Sequence, residues 1–369
     1  MAAGPRILSF GECSAIIDSL QPRAVIDAIA DGFIAFSRGL VSVAPIQTLG
    51  QPPLANFIGH PDAQACIKSA YVNGGSIFVA KVASGGGGLN SGLVLVFSQI
   101  NFAPTAVMLD GGYLTELRTA AAGALAAKHF APTQLDAIAV IGCGVQARWQ
   151  LRLLASVVRC RHVRVWARRP EQVRALVSEL SADGWQAVGA TSIESACVGA
   201  GLIVTVTCAR DPLVLKEWIP GGHDVLINAI GADSVGKQEL ELPLVASAAL
   251  VLADSKAQCI ERGEVQHAVR AGLLSQDAVV EIGAWLDRPK LQQVHRGYMC
   301  CMCMHSMCVH TVNHIAAYRT SGHLCIQVRP RGVILFDSTG VAVQDVKIAE
   351  LALAAAPPPL TVSLPTSKL

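Results

Sequence analysis

Residues 137–148, Ala-Ile-Ala-Val-Ile-Gly-Cys-Gly-Val-Gln-Ala-Arg, decide the fold: a short β-rich apolar run, a Gly-x-Gly-x-x-Ala turn, and the start of an amphipathic helix. A dinucleotide-binding turn requires this context. Gly142 permits the tight turn, and Gly144 lets the backbone approach a pyrophosphate. The small Ala147 lets helix and strand pack, so that phosphates sit on the helix N-terminus at Val145 and Gln146. A lone turn of this kind also suits a purely structural glycine loop. Here a second β-like run, residues 162–166, follows the helix at the spacing of a βαβ unit, which favours the cofactor reading.

Downstream, β-like runs at 202–207, 225–230 and 249–253 alternate with helical stretches and predict a doubly wound parallel sheet. Upstream, residues 14–38 have helical apolar spacing. Residues 41–47, 65–72, 77–83, 93–97 and 106–109 read as short strands separated by Gly and Pro turns, hence a mixed or antiparallel sheet. An Ala-rich helix over 113–131, closed by Pro132, marks the domain boundary. Residues 333–336 read as a strand and 341–356 as a helix returning to the first domain. The expected class is therefore α/β, with a Rossmann-type domain over 132–294 and a second α+β domain over 1–131 joined by 333–356. A segment at 295–332 and a tail at 357–369 lie outside both.

The 369 residues are 52% hydrophobic and 15% charged, enough apolar material for two cores. The net charge of +2 has no basic block, so no nucleic-acid partner is expected. No apolar run reaches membrane-spanning length, and the first residues lack the basic-then-apolar layout of an export signal. The twelve cysteines are therefore expected as reduced thiols. The final Ser367-Lys368-Leu369 matches the address read by the peroxisomal import receptor, with a cytoplasmic location as the alternative.

Where a Rossmann domain usually carries an Asp or Glu for the ribose hydroxyls of NAD, this chain has Ala167-Arg168-Arg169. No acid repels a 2′-phosphate there, and two guanidiniums suit one, so NADP is favoured as the NAD(P)(H) form. Two solvated loop arginines are the plainer reading.

Several stretches resemble the ornithine cyclodeaminase/mu-crystallin family: Asp110-Gly-Gly-Tyr-Leu-Thr-Glu-Leu-Arg-Thr-Ala-Ala-Ala-Gly-Ala, the Gly-Cys-Gly-Val-Gln-Ala-Arg turn, Thr205-Val-Thr, Ile227-Asn-Ala-Ile-Gly-Ala-Asp and Phe336-Asp-Ser-Thr-Gly-Val-Ala. They span most of the chain in family order. The resemblance implies hydride removal from Cα of an amino acid by a bound nicotinamide, attack of a side-chain amine on the imine, loss of ammonia, and return of the hydride. With ornithine the product is proline. It also implies a carboxylate clamp of Lys81 and Arg118, an acid–base Asp233, and Lys237, Ser338 and Thr339 around cofactor and substrate. Thr207 falls beside the nicotinamide ribose, and Ile230 and Gly231 fall among the cofactor-binding residues. A homodimer formed through the first domain is implied likewise. Read without the family, Lys81 snorkels from an apolar strand, Arg118 joins a surface ion pair, and Asp233 caps a helix after Gly236 or stabilises a turn.

Four departures matter. Gln47 stands where the family often has a third cation, weakening the clamp at a position still expected to face substrate. Near Ile58-Gly-His-Pro no carboxylate matches the one ornithine cyclodeaminase brings to its substrate, and His60 is a poor substitute. The glycine-rich stretch 84–92 reads as a shortened, flexible loop. Residues 295–325 hold five of the twelve cysteines, four of the six methionines and five of the ten histidines. The six residues between Cys300-x-x-Cys303 and His310-x-x-x-His314 are too few for a zinc finger, so no metal is expected and an insertion of poor order is the reading.

The first functional reading is thus an NAD(P)-dependent amino-acid cyclodeaminase, most simply for ornithine. The alternatives are a ketimine or imine reductase or amino-acid dehydrogenase, and a non-catalytic binder resembling mu-crystallin. Asp233 favours the first, the arginines favour the second, and Gln47 keeps the third.

Overall fold

The computed structural model describes residues 4–50, 63–86, 89–288, 315–320, 323–328 and 330–357. Two compact units emerge, one of residues 1–28, 39–118 and 342–369, the other of residues 29–38 and 119–341. The division falls inside two helices, Pro22–Ser37 and Tyr113–Phe130, rather than at Pro132.

The first unit contains β1 (Arg6–Leu8), β2 (Val41–Val43), β3 (Gln47–Leu49), β4 (Gln64–Val72), β5 (Ile77–Gly86), β6 (Leu89–Ser98) and β7 (Pro104–Met108). Their order is β1-β7-β6-β5-β4-β2, with β3 also on β4; only β1–β7 is a parallel pair. The turn joining β4 to β5 has Gly74 at φ 77°, a left-handed conformation that glycine adopts without strain. It fixes the register Tyr71↔Phe78, and counting back along both strands brings Lys68 opposite Lys81. The helix Ala342–Ala355 packs across β4 and β5. The helix expected over 14–38 is two, Phe10–Ser19 and Pro22–Ser37, because Pro22 cannot continue a preceding helix but suits the first turn of a new one. Ser84, Gly85 and Gly86, read as loop, complete β5 instead.

The second unit carries β8 (Ile138–Ile141), β9 (His162–Trp166), β10 (Gln186–Gly189), β11 (Leu202–Thr205), β12 (Val225–Ala229), β13 (Leu250–Ala253) and β14 (Val279–Glu281). A hairpin, β15 (Ile315–Thr320) with β16 (His323–Val328), precedes β17 (Val333–Asp337). The main sheet is parallel throughout, in the order β10-β9-β8-β11-β12-β17-β13-β14. β17 corrects the sequence reading: it lies between β12 and β13, and only the helix after it belongs to the first unit. Every residue of β8, β11 and β12 is buried, as expected for strands covered by helices on both faces.

The seven described cysteines are free thiols. Among the described residues no helix is long and apolar enough to cross a membrane, and no group of three His, Cys, Asp or Glu is placed to hold a metal. His60, Cys300, Cys303, His310, His314 and the Ser367-Lys368-Leu369 end lie outside the described residues.

Candidate active site

The turn after β8 has the shape its sequence demands. Gly142 sits at φ 120°, and a Cβ there would meet the Val206 carbonyl oxygen at 2.8 Å. Gly144 caps the helix Val145–Leu154 with no side chain on the first-turn N–H groups, and a Cβ at Gly144 would meet nothing within 4 Å. Bare N–H groups at a helix start facing open space fit a pyrophosphate. Ala147 is fully buried, Val145 is exposed, and the Gln146 side chain accepts a hydrogen bond from Gln150 at 3.2 Å. Arg148 braces the turn, donating to the Cys143 carbonyl at 3.0 Å while pairing with Glu179 at 2.6 Å. Burial pushes the Cys143 thiol up to about 11, so it packs and does not react.

Arg168 and Arg169 follow β9, both exposed. Arg169 caps the helix Pro170–Ala182 through its backbone. Neither guanidinium engages another described residue, so both stand available to an anion.

The loops after β11 and β12 converge on Glu239, which the sequence reading missed. Its buried carboxylate accepts from Thr205 Oγ1 at 2.7 Å, from Thr207 N and Oγ1 at 2.6 Å each, and from Gly231 N at 2.9 Å. Burial raises its pKa, and the hydrogen bonds from Thr207 and Thr205 oppose the rise. Thr207, expected beside the ribose, commits its hydroxyl proton to Glu239 and accepts from Ala209 N at 3.2 Å. It shapes the loop from within. Ile230 is buried, and any side chain at Gly231 would collide with Thr207 and Glu239.

Ser338 and Thr339 likewise turn inward, donating to the buried Asp254 at 3.0 and 3.3 Å, while Gly340 N donates to it at 2.6 Å. Two more buried acids lie in this unit. Asp337 is pushed up to about 8 by burial and accepts from Val265 N at 3.0 Å. Glu264, raised by burial and by Glu239, accepts from the Leu240 and Glu239 N–H groups.

Asp233 is half-exposed in the loop after β12, its carboxylate 2.6 Å from Lys237 Nζ and accepting from Ser234 Oγ at 3.1 Å. No helix starts at Gly236; the next is Leu242–Ala246, so Asp233 is no helix cap. Carboxyl ends of strands in an open parallel sheet are where ligands bind, and the Asp233–Lys237 pair stands at one.

In the first unit, Lys81 and Arg118 come together as expected, but around an acid that was not. Asp345, on the helix Ala342–Ala355, lies 2.9 Å from Lys81 Nζ and 3.3 Å from Arg118 Nε. Side-chain exposures of 3, 7 and 2% rule out the snorkelling and surface-pair readings. Gln344 brackets Arg118, accepting from its Nη1 and donating to its carbonyl, both at 3.3 Å. Lys68, buried opposite Lys81, brings a third cation to the cluster. Gln47 lies exposed on β3, where it pairs with Ile67, the neighbour of Lys68. Burial, then Arg118, lowers Lys81 to about 8 against the pull of Asp345. Burial alone would raise Asp345; Lys81, Arg118 and Lys68 outweigh it and hold the carboxyl below its ordinary value.

A parallel doubly wound sheet with an open phosphate turn, and a separate unit with a buried cationic cluster, define a Rossmann-type protein equipped to hold a dinucleotide and a small carboxylate. The chain belongs to the ornithine cyclodeaminase/mu-crystallin family, which it matches over residues 90–353. It is 33% identical over 347 residues to an uncharacterized cyclodeaminase of Sinorhizobium fredii, covering 91% of this chain and 94% of that one. Its fold resembles that of the iminosuccinate reductase of Paracoccus denitrificans in complex with NAD+ (TM-score 0.73, 27% identity, 96% and 97% of the two chains). An archaeal alanine dehydrogenase dimer with bound NAD is similar as well (TM-score 0.74, 26% identity, 95% and 96%).

Proposed function

We propose that the protein is an NAD(P)H-dependent α-imino acid reductase, acting in reverse as an amino-acid dehydrogenase. The charge of the clamp carries this reading. Lys81 and Arg118, two buried cations on the one carboxylate oxygen of Asp345, attract a further carboxylate and repel a further ammonium group, which ornithine would bring on its side chain. The likeness to an iminosuccinate reductase and an alanine dehydrogenase, each solved with NAD, supports it.

A bound nicotinamide would supply the hydride for the imine carbon, and a proton delivered to the imine nitrogen would complete the amino acid. The chain's own groups do the rest. Lys81 and Arg118 hold and orient the α-carboxylate, which fixes the angle of the reacting carbon. In the second unit, the Asp233–Lys237 pair sets a carboxylate and an ammonium 2.6 Å apart, a couple suited to holding and moving a proton. The Gly142–Gly144 turn receives the pyrophosphate. Arg168 and Arg169 receive a 2′-phosphate, the basis for proposing NADPH as the preferred form. The archaeal dimer supports a homodimer here, which sedimentation would test.

Cyclodeamination is the second reading, favoured by one observation: Asp233 is half-exposed and carries a carboxylate suited to a substrate amine. Two assays separate the readings. The first mixes a 2-oxo acid, ammonia and NADPH and follows loss of nicotinamide absorbance with amino acid formed. The second mixes L-ornithine with catalytic NAD(P)+ and follows ammonia and proline. Turnover only in the first is expected; equal ammonia and proline without lasting NAD(P)H would establish the cyclodeaminase instead.

A further inference from the structure

We infer that Gln266 is the positioning residue of the Asp233–Lys237 pair, fixing the turn between them in the shape that sets the carboxylate against the ammonium. That the pair serves a proton rests on the proposed function; the hold of Gln266 on the turn does not.

Asp233 and Lys237 are four residues apart, the spacing at which a helix brings side chains together, but no helix runs through them. Their 2.6 Å approach therefore depends on the backbone between them. Lys237 N donates to the Ser234 carbonyl at 3.1 Å, closing a turn whose third residue, Gly236, sits at φ 81°. A single amide grips this turn. Gln266 Oε1 accepts from Gly236 N at 2.9 Å, and its Nε2 donates to the carbonyls of Lys237 at 3.2 Å and Ser234 at 3.4 Å. His267 Nε2 lies 3.1 Å from the same Lys237 carbonyl. The turn asks for an acceptor and a donor on one side chain, which glutamine has; an ionised glutamate lacks the donor and leucine lacks both.

Gln266 can impose a shape because it is itself fixed. It is fully buried, and its Nε2 also donates to the Gly263 carbonyl at 2.8 Å. Val265 N donates to the Asp337 carboxylate at 3.0 Å, and a Cβ at Gly263 would collide with that carboxylate. Glu264 grips the far end of the loop, accepting from Glu239 N at 3.0 Å and Leu240 N at 2.7 Å. Residues 263–267 thus tie residues 234–240 to the end of β17. An ion pair with a half-exposed partner holds its own geometry weakly, so the turn supplies what the pair lacks.

Competitive acetylation of the full chain with acetic anhydride, read at each lysine by mass spectrometry, tests this without turnover. Lys237, 17% exposed and set against a carboxylate, should react slowly in the wild type. Gln266→Leu should raise its rate severalfold, to the level of Asp233→Asn, and should add little in that background. Gln266→Asn, which keeps the amide but draws it back by one bond, should do the same with less disturbance of packing. The buried Lys81 should not change. Calorimetry with succinate, a simple carboxylate probe for Lys81 and Arg118, should not change either. Unmoved labelling of Lys237 in both variants, or a rise shared with Lys81, would overturn the inference. In the reductase assay, kcat of Gln266→Leu should fall about tenfold or more with KM for the 2-oxo acid within about twofold. If labelling moves while kcat does not, or no 2-oxo acid is reduced, the proton role of the pair fails and the hold of Gln266 on the turn stands.

Discussion

Lys81 Nζ and a carboxylate oxygen of Asp345 stand 2.9 Å apart, both side chains almost wholly out of water, and the same oxygen lies 3.3 Å from Arg118 Nε. Asp345→Asn would leave Lys81 and Arg118 buried without the charge that lies against both. Removing one member of a buried ion pair costs about 3 kcal/mol or more. Urea unfolding of this variant should show that loss, and a bound carboxylate should restore part of it. An unchanged midpoint would mean that the cluster is already neutralised by other means.

The same pair sets a pH dependence. Carboxylate binding needs Lys81 protonated, and its folded value is about 8, below the ordinary lysine value. kcat/KM, which reports the free enzyme, should therefore fall about tenfold per pH unit above that point. Stability of the ligand-free chain should move the other way. The unfolded lysine still binds a proton where the folded one has lost it, so stability rises as pH climbs from about 8 toward 10. Opposite slopes in the two measurements identify the lysine; parallel slopes would point to another group.

The sequence showed the interior of the second sheet and little of its rim. β8, β11 and β12 are covered on both faces and so read as unbroken apolar runs, whereas β10 (Gln-Ala-Val-Gly) and β14 (Val-Val-Glu) carry too little apolar signal to stand out. The place of β17 beside β12 was not legible, because strand order is not written in local pattern. The clamp was partly legible. Lys81 and Arg118 lie in recognisable motifs, but Asp345 sits in a helix that reads as apolar. Lys68 had an available signal: with the turn centred at Asn73-Gly74-Gly75-Ser76, counting equal steps along each strand pairs it with Lys81. Glu239 and Asp254 act through hydrogen bonds to loops far apart in sequence, which no spacing rule reveals.

Glu239 holds Thr205, Thr207 and Gly231 through four hydrogen bonds on one carboxylate. A glutamine offers a single oxygen and turns an NH2 toward at least one of those donors. Leaving buried donors unmatched costs ~1–3 kcal/mol each. Glu239→Gln should lower stability by about that amount. It should also weaken dinucleotide binding several-fold, because the loops it ties stand at the carboxyl ends of β11 and β12. Succinate binding to the first unit should be spared. Fluorescence titration with NADH beside calorimetry with succinate would separate the two effects, and an equal loss of both would mark general unfolding instead.

Arg168 and Arg169 follow β9 with guanidiniums that engage no other described residue, and Arg169 is tied to the helix Pro170–Ala182 only through its backbone. Side chains so placed add little to folding, so their truncation isolates a binding role. A charge-assisted hydrogen bond to phosphate is worth ~1.5–3 kcal/mol. Arg168→Ala and Arg169→Ala should each raise the KM for NADPH at least tenfold and leave that for NADH within about twofold. Thermal midpoints should not move. If both cofactors weaken together, the arginines touch the pyrophosphate or adenine rather than a 2′-phosphate. If neither weakens, they are solvated loop residues and the preference for NADPH has no basis in this strand end.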